Sequence, residues 1–368
     1  MKTATITFHS SHNYGSMLQA FALQTVIIQM GFENEIINLR TRRQKWMYDY
    51  HKNKSHRITG KLLYKILTCY YDQNLSKKHE LFERFLQEDL KLTREFTSAK
   101  ELQDGDMGYD CYVSGGDQIW NTSPVDFDWS FYLPFAKDAK KISYAVSMGP
   151  CAEQQVSGLK RIAAYLREYQ YISVREEGTK KMVENLIDIP VEINLDPVLL
   201  LNEAEWQSHY AQEPILSSDY ILVYVPGYNK DVFDLAESIG KLLKYKVVNT
   251  VFSLRMVCHP SIHNHYATGP WEFLNLLQHA KMVVSGSYHA VIFSMLYNKP
   301  FVALNGMRDN RIRTMLENTG LENRSVSMDE IKKLRESDLL SCDFSRANEF
   351  IIRERSKSFD YLRHSILD

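Results

Sequence analysis

Short apolar runs alternate with segments of helical spacing along most of the chain. In the first half, residues 3–8, 35–39, 111–114, 142–147, 171–174 and 191–195 read as strands. Residues 16–30, 156–169 and 178–186 place apolar side chains three and four apart, as a helix with one buried face requires. A second series follows, with strands at 220–225, 246–250, 281–285 and 301–304 and helices at 231–243, 271–279, 290–297 and 310–318. The alternation predicts an α/β fold of two Rossmann-like, doubly wound domains. The polar stretch 202–219 reads as the linker between a domain at 1–201 and a domain at 220–335. Residues 336–368 read as a helical segment packing back on the first domain. Doubly wound domains bind ligands at the carboxyl ends of their strands, so a cleft between the two is the expected site.

A helical insertion at about 40–108 interrupts the first domain. Within it, residues 40–65 carry nine Lys or Arg and a single acid, Asp49, interleaved with Trp46, Tyr48, Tyr50 and Tyr64. One reading is a solvated helical insertion. The other is a cationic, aromatic surface that meets anionic lipid.

Composition narrows the function classes. Among 368 residues, 44 Lys and Arg balance 45 Asp and Glu, which argues against a nucleic-acid partner. The five cysteines are scattered and form no C-x-x-C pair, so a reducing compartment is expected. The first residues lack the apolar core of a signal peptide, and no run approaches the roughly 20 apolar residues of a membrane span. The expectation is a cytoplasmic protein, with peripheral association at the inner membrane face left open.

Four polar motifs fall at predicted strand ends. His9-Ser10-Ser11-His12-Asn13-Tyr14-Gly15 joins the first strand to the first helix; Gly15 permits a tight turn, Asn13 and Tyr14 offer hydrogen bonds, and a helix N-terminus favours an anion. It is not a G-x-G-x-x-G dinucleotide fingerprint. Gly115-Gly116-Asp117-Gln118-Ile119-Trp120-Asn121 sets a carboxylate at a strand end, where Asp117 either handles a sugar hydroxyl or caps a following helix. Arg175 ends another strand and suits a small polyanion, or else pairs with its acidic neighbours. Ser287-Tyr288-His289 opens a helix directly after a strand, giving His289 either an acid/base or a structural role. A fifth cluster, Cys258-His259 to His263-Asn264-His265, matches no zinc spacing and reads as a polar loop; no metal is expected.

Taken in order, "ITFHSSHNYGSMLQAFALQ", "VSGGDQIWN", "ISYAVSMG", "ISVREEGT", "LDPVLLL" and "GPWEFLNLLQHAKMVVSGSYHAVIFSMLYNKPFVAL" resemble the polysaccharide pyruvyl transferase family. The resemblance implies two facing Rossmann-like domains similar to the GT-B glycosyltransferase architecture. It implies phosphoenolpyruvate as donor substrate, no cofactor, and a saccharide acceptor, expected to be lipid-linked, that receives a pyruvate ketal during capsule, exopolysaccharide or cell-wall glycan synthesis. The family's Ser-aromatic-His element matches Ser287, Tyr288 and His289, and its Arg-Glu element matches Arg175. The family often has Asp where this chain has Gly286. On this reading His289 is the acid/base, Arg175 the anion clamp, and Asp117 a base or acceptor-positioning group. Asn13, Tyr14, Gly15, Ser287, Tyr288 and Arg311 are assigned to the donor, and Gln118, Trp120 and Asn121 to the acceptor. Replacing Arg175 by Lys is then expected to weaken donor binding with little change in stability. The alternatives are a nucleotide-sugar glycosyltransferase on the same architecture and a non-catalytic glycan- or lipid-binding member.

Overall fold

A computed structural model describes residues 1–49, 58–103, 107–149, 158–253, 259 and 261–368. Strands β1 (Lys2–Ile6), β2 (Glu33–Ile36), β3 (Cys111–Gly115) and β4 (Lys140–Tyr144) form a parallel sheet in the order β2-β1-β3-β4. Parallel bridges from Ile142 to Tyr171 and from Val146 to Val174 carry it on to the paired strands β5 (Ile172–Val174) and β6 (Val191–Ile193). The second sheet is also wholly parallel. It orders β7 (Tyr220–Tyr224), β8 (Lys246–Asn249), β9 (Ile262–Asn264), β10 (Met282–Ser285), β11 (Phe301–Leu304) and β12 (Ser325–Val326) as β12-β11-β10-β7-β8-β9. Strand order reverses between β1 and β3 in one sheet and between β7 and β10 in the other, which opens a crevice at each carboxyl edge.

The helix Tyr14–Gln29 explains how the halves meet. Nearly all its residues are buried, and a helix apolar on every side belongs inside a core. One side covers the first sheet. The other meets the second domain, where the Tyr14 ring stacks on Phe273 at 4.6 Å. One apolar cluster runs from this helix through Val198–Leu201 into the helices Pro270–His279 and Tyr288–Leu296, so the lower part of the domain interface is core rather than open cleft.

Several segments differ from the sequence reading. The stretch 202–219 is not a bare linker. It starts with a capping box between Asn202 and Glu205, and the buried Trp206 donates its ring N–H to Val198 O at 3.0 Å. Strand β9 arises inside the histidine-rich segment read as loop, with Ile262 buried beside Val247; a three-residue edge strand with one apolar side chain leaves no alternation to detect. The terminal helix Ser345–Leu367 is no such departure: it lies against the first sheet, where the Tyr361 hydroxyl donates to Ser143 O at 3.0 Å and Ser358 Oγ accepts from Leu195 N at 3.0 Å.

The insertion supplies helices Arg42–Tyr48, Ile58–Tyr70 and Asp72–Glu88. Not all its cations face solvent. Arg40 donates to both carboxylate oxygens of Glu83 at 2.9 and 2.7 Å, and Lys45 reaches Glu95 at 2.6 Å. Tyr48 donates to Asp126 at 2.6 Å. Tyr50 and Cys258, both singled out in the sequence, lie outside the described residues. Among the described residues, no helix is long and apolar enough to cross a membrane.

Candidate active site

Asp117 and Arg175 end strands of one sheet, His289 starts a helix of the other, and the three converge at the domain boundary. Asp117 follows Gly116, and both have left-handed backbone, with φ of 52° and 67°. Asp is among the few residues that tolerate this conformation. Residues 117–120 form a turn, so no helix starts at Asp117 for it to cap. One carboxylate oxygen accepts from Ser16 Oγ at 2.5 Å and the other from the backbone N–H of Gln118 at 2.8 Å.

Arg175 is almost fully buried and sits among three carboxylates. Its Nη1 donates to Asp196 at 2.5 Å, while Nη2 lies 3.7 Å from Asp117 and Nε 3.7 Å from Glu176. The last two contacts exceed hydrogen-bond length, and both nitrogens lack another partner. Burial alone would raise the Asp196 carboxyl, but His289 and Arg175 together hold it down at about 2. Glu176 shifts the other way: its burial outweighs Arg175 and the hydroxyls of Thr179 and Ser147, and its affinity for a proton rises.

His289 places Nε2 3.5 Å from Asp196, again without a hydrogen bond. It packs directly behind Gly15, where any Cβ would fall 2.3 Å from the ring. Gly15 is therefore required by close approach of the two domains, not by its backbone angle. Asp117, Arg175, Asp196 and His289 form one polar chain across the domain boundary.

A cavity of about 400 Å³ opens at one end of this chain. Asp117, Gln118, Asn13, Tyr14, Ser16, Tyr48 and Lys78 contribute to its wall, together with Tyr224 and Pro226 after β7. His12, with a left-handed φ of 44°, also lines it, so two of the strained backbone positions border this space. Lys78 reaches in from the Asp72–Glu88 helix and donates to Tyr14 Oη and Thr250 O, both at 2.8 Å. Burial lowers its pKa to about 7. The sequence reading missed Lys78, because one lysine on an amphipathic surface helix carries no local signal. It also missed Asp196, whose Asp-Pro pair reads only as a helix start; the other Asp196 oxygen does cap Val198 N at 3.0 Å.

Other assigned residues fall elsewhere. Trp120 is wholly buried, stacks on Tyr132 at 5.3 Å and donates to Ser114 at 3.0 Å, so it is core and touches no acceptor. Asn121 is buried beside Gly149, its amide shared between Gln118 and Ser123 N. Asn13 occupies the helix terminus expected to hold an anion, accepting from the N–H groups of Gly15 at 3.0 Å and Ser16 at 3.4 Å. Arg311 is engaged by Asp309 at 2.6 Å and sits over the Tyr288 ring at 5.7 Å, with Arg175 over that ring at 4.6 Å. Ser287 caps with no side-chain hydrogen bond. Gly286 has ordinary backbone, and a Cβ there would meet only Val232 at 3.5 Å, an ordinary contact.

Away from this chain, His12, His79 and Glu83 bring ligand-type atoms within 4.8 Å of one another. Arg40 already occupies both oxygens of Glu83, which leaves that carboxylate little charge to offer a cation.

The fold and site can be set beside known proteins. No curated protein sequence matches the chain. Among solved structures, MnaA of S. aureus with UDP aligns at 9% identity over 90% of this chain and 86% of its own, with a TM-score of 0.53. A putative UDP-N-acetylglucosamine 2-epimerase from Listeria monocytogenes gives 9% identity, 99% and 90% coverage and a TM-score of 0.51. UGT89C1 of Arabidopsis thaliana, complexed with quercetin, gives 12% identity, 99% coverage of both chains and a TM-score of 0.50. At such identities the likeness concerns fold alone: two Rossmann-like domains in the GT-B arrangement. The model of the family described as "Polysaccharide pyruvyl transferase" matches residues 13–306, a span that takes in Asp117, Arg175, Asp196 and His289, and the chain belongs to that family.

Proposed function

We propose that this protein transfers the pyruvyl group of phosphoenolpyruvate to two hydroxyls of a saccharide. The observation that carries the reading is the polar chain Asp117–Arg175–Asp196–His289, which joins both switch points and ends at the cavity wall. In the reaction, a sugar hydroxyl adds to C2 of phosphoenolpyruvate while C3 gains a proton and becomes a methyl group. The C2–O bond to phosphate then breaks, and the second hydroxyl closes the ketal at C2, its proton leaving with phosphate. Asp117, at the cavity wall, is assigned to the acceptor hydroxyl, and His289 to the proton that reaches C3. Arg175 is better suited to fixing Asp117 and Asp196 than to clamping the donor, since Asp196 already neutralises it. Among the described residues, Lys78 is the lysine or arginine that lines the cavity, and it is assigned to the donor's negative charge.

This assignment has a pH signature. Lys78 is charged below about 7 and loses its proton above that. Donor affinity is expected to weaken above this pH by up to tenfold per unit, and Lys78→Met is expected to flatten that dependence. Titration calorimetry with phosphoenolpyruvate across this range checks it; an unchanged slope in a folded variant removes Lys78 from donor binding.

Incubation with phosphoenolpyruvate and a panel of lipid-linked saccharides tests the reaction itself. The expected product is a pyruvyl adduct seen by mass, with one phosphate released per adduct. Turnover of a nucleotide sugar, with no adduct from phosphoenolpyruvate, would favour a glycosyltransferase instead.

A further inference from the structure

The helix Ile58–Tyr70 has two apolar faces, and only one is covered. Inward, Tyr64 meets the Phe252 ring at 6.1 Å edge to face, and Tyr71, just past the helix, meets Phe252 at 6.2 Å and Tyr266 at 5.2 Å. Thr68 on the same side is buried. Outward, Leu62, Leu63, Ile66 and Tyr70 are 63%, 46%, 56% and 78% exposed. At about 100° per residue, these four positions fall within an arc of roughly 100°, a continuous stripe rather than scattered exposure. Lys61 and Lys65 are exposed and flank one edge of the stripe, and residues 50–71 contain no Asp or Glu. Trp46, on the neighbouring helix in sequence, is a further exposed aromatic at 45%.

We propose that this helix is an interfacial anchor whose outer stripe enters the headgroup region of an anionic lipid surface. An apolar arc edged by lysines and free of acids is the pattern of helices that lie in a membrane interface. Charge decides between lipid and a second copy of the chain. A homotypic contact through this face would set the lysines at its edge, Lys61 and Lys65, against their own copies, and residues 50–71 place no Asp or Glu among them, whereas anionic headgroups meet them with opposite charge. The placement also has a consequence. Phe252, against which the helix packs, follows Val251 of the cavity wall, so a bound helix holds the cavity near the lipid surface. Lipid binding does not depend on the proposed reaction and is tested apart from it.

The test is flotation of the full chain with vesicles of phosphatidylglycerol and, separately, of phosphatidylcholine. The expected result is binding to phosphatidylglycerol that weakens with salt, and little binding to phosphatidylcholine. Lys61→Gln with Lys65→Gln is expected to weaken binding roughly 30-fold, from about 1 kcal/mol per cation near the surface. Leu62→Ser, Leu63→Ser and Ile66→Ser together are expected to abolish it while thermal unfolding stays unchanged, because these side chains are exposed. If that triple variant unfolds, the double lysine variant still decides. No binding by the wild type at low salt, or equal binding by the double lysine variant, overturns the proposal. So does a dimer in sedimentation that the triple variant converts to monomer, which would make the stripe a contact between copies.

Discussion

Arg175→Met is expected to destabilise the protein by about 3–5 kcal/mol, the range for removing one partner of a buried ion pair. Among the described residues, Arg175 is the one guanidinium within 4 Å of Asp117, Glu176 and Asp196, all buried. Its loss leaves carboxylates in a medium that solvates them poorly, and Asp196 loses the partner that, with His289, keeps its carboxyl at about 2. The pH dependence follows from that depression. A carboxyl lowered in the folded state stabilises above its unfolded pKa of about 3.9, and this contribution disappears as pH falls through about 2. The gap between wild type and variant is therefore widest near neutrality and narrows in acid, as Asp196 in the variant takes up its proton. Urea unfolding at several pH values measures this. Equal stability at neutral pH would show that the carboxylates are compensated by another group. Arg175→Lys keeps a charge but not a reach over three carboxylates, so it too is expected to lose stability, contrary to the sequence expectation.

His289→Ala is expected to reduce turnover by roughly 10²–10⁴, the range for loss of a positioned acid or base. The imidazole is nearly buried behind Gly15, with Nε2 aimed at Asp196 but unbonded. A structural role would also place a ring here, so turnover needs a second readout. The pH–rate profile of a folded variant is expected to lose one limb if His289 moves a proton. Near-normal turnover with a lower melting temperature would leave His289 as a packing partner of Gly15 and nothing more.

Much of the fold was legible because parallel sheets covered on both faces write long apolar runs into the sequence. Strands β3, β7 and β11 and the helices that follow β7 and β11 lie within a residue or two of their predicted positions. What escaped detection was short or depended on tertiary partners: the edge strands β9 and β12, and the helix holding Trp206. The site was legible at its ends. Asp117 and His289 follow strand ends, where polar residues next to glycine or hydroxyl neighbours stand out. Its middle was not. Asp196 is an ordinary Asp-Pro in the sequence, and only folding brings it between Arg175 and His289. Trp120 misled for the opposite reason, since a tryptophan beside Asp117 looks like a sugar platform until it is seen stacked on Tyr132 in the core.

The central claim is that C2 of phosphoenolpyruvate, not its phosphorus, is the centre attacked. Phosphoenolpyruvate carrying heavy oxygen in the C2–O–P bridge tests this most directly, read as the mass of the phosphate released when wild-type protein acts on a lipid-linked saccharide. Addition at C2 breaks the carbon–oxygen bond, so the label is expected in the phosphate. Label retained in pyruvate, or no release of phosphate at all, would contradict the account.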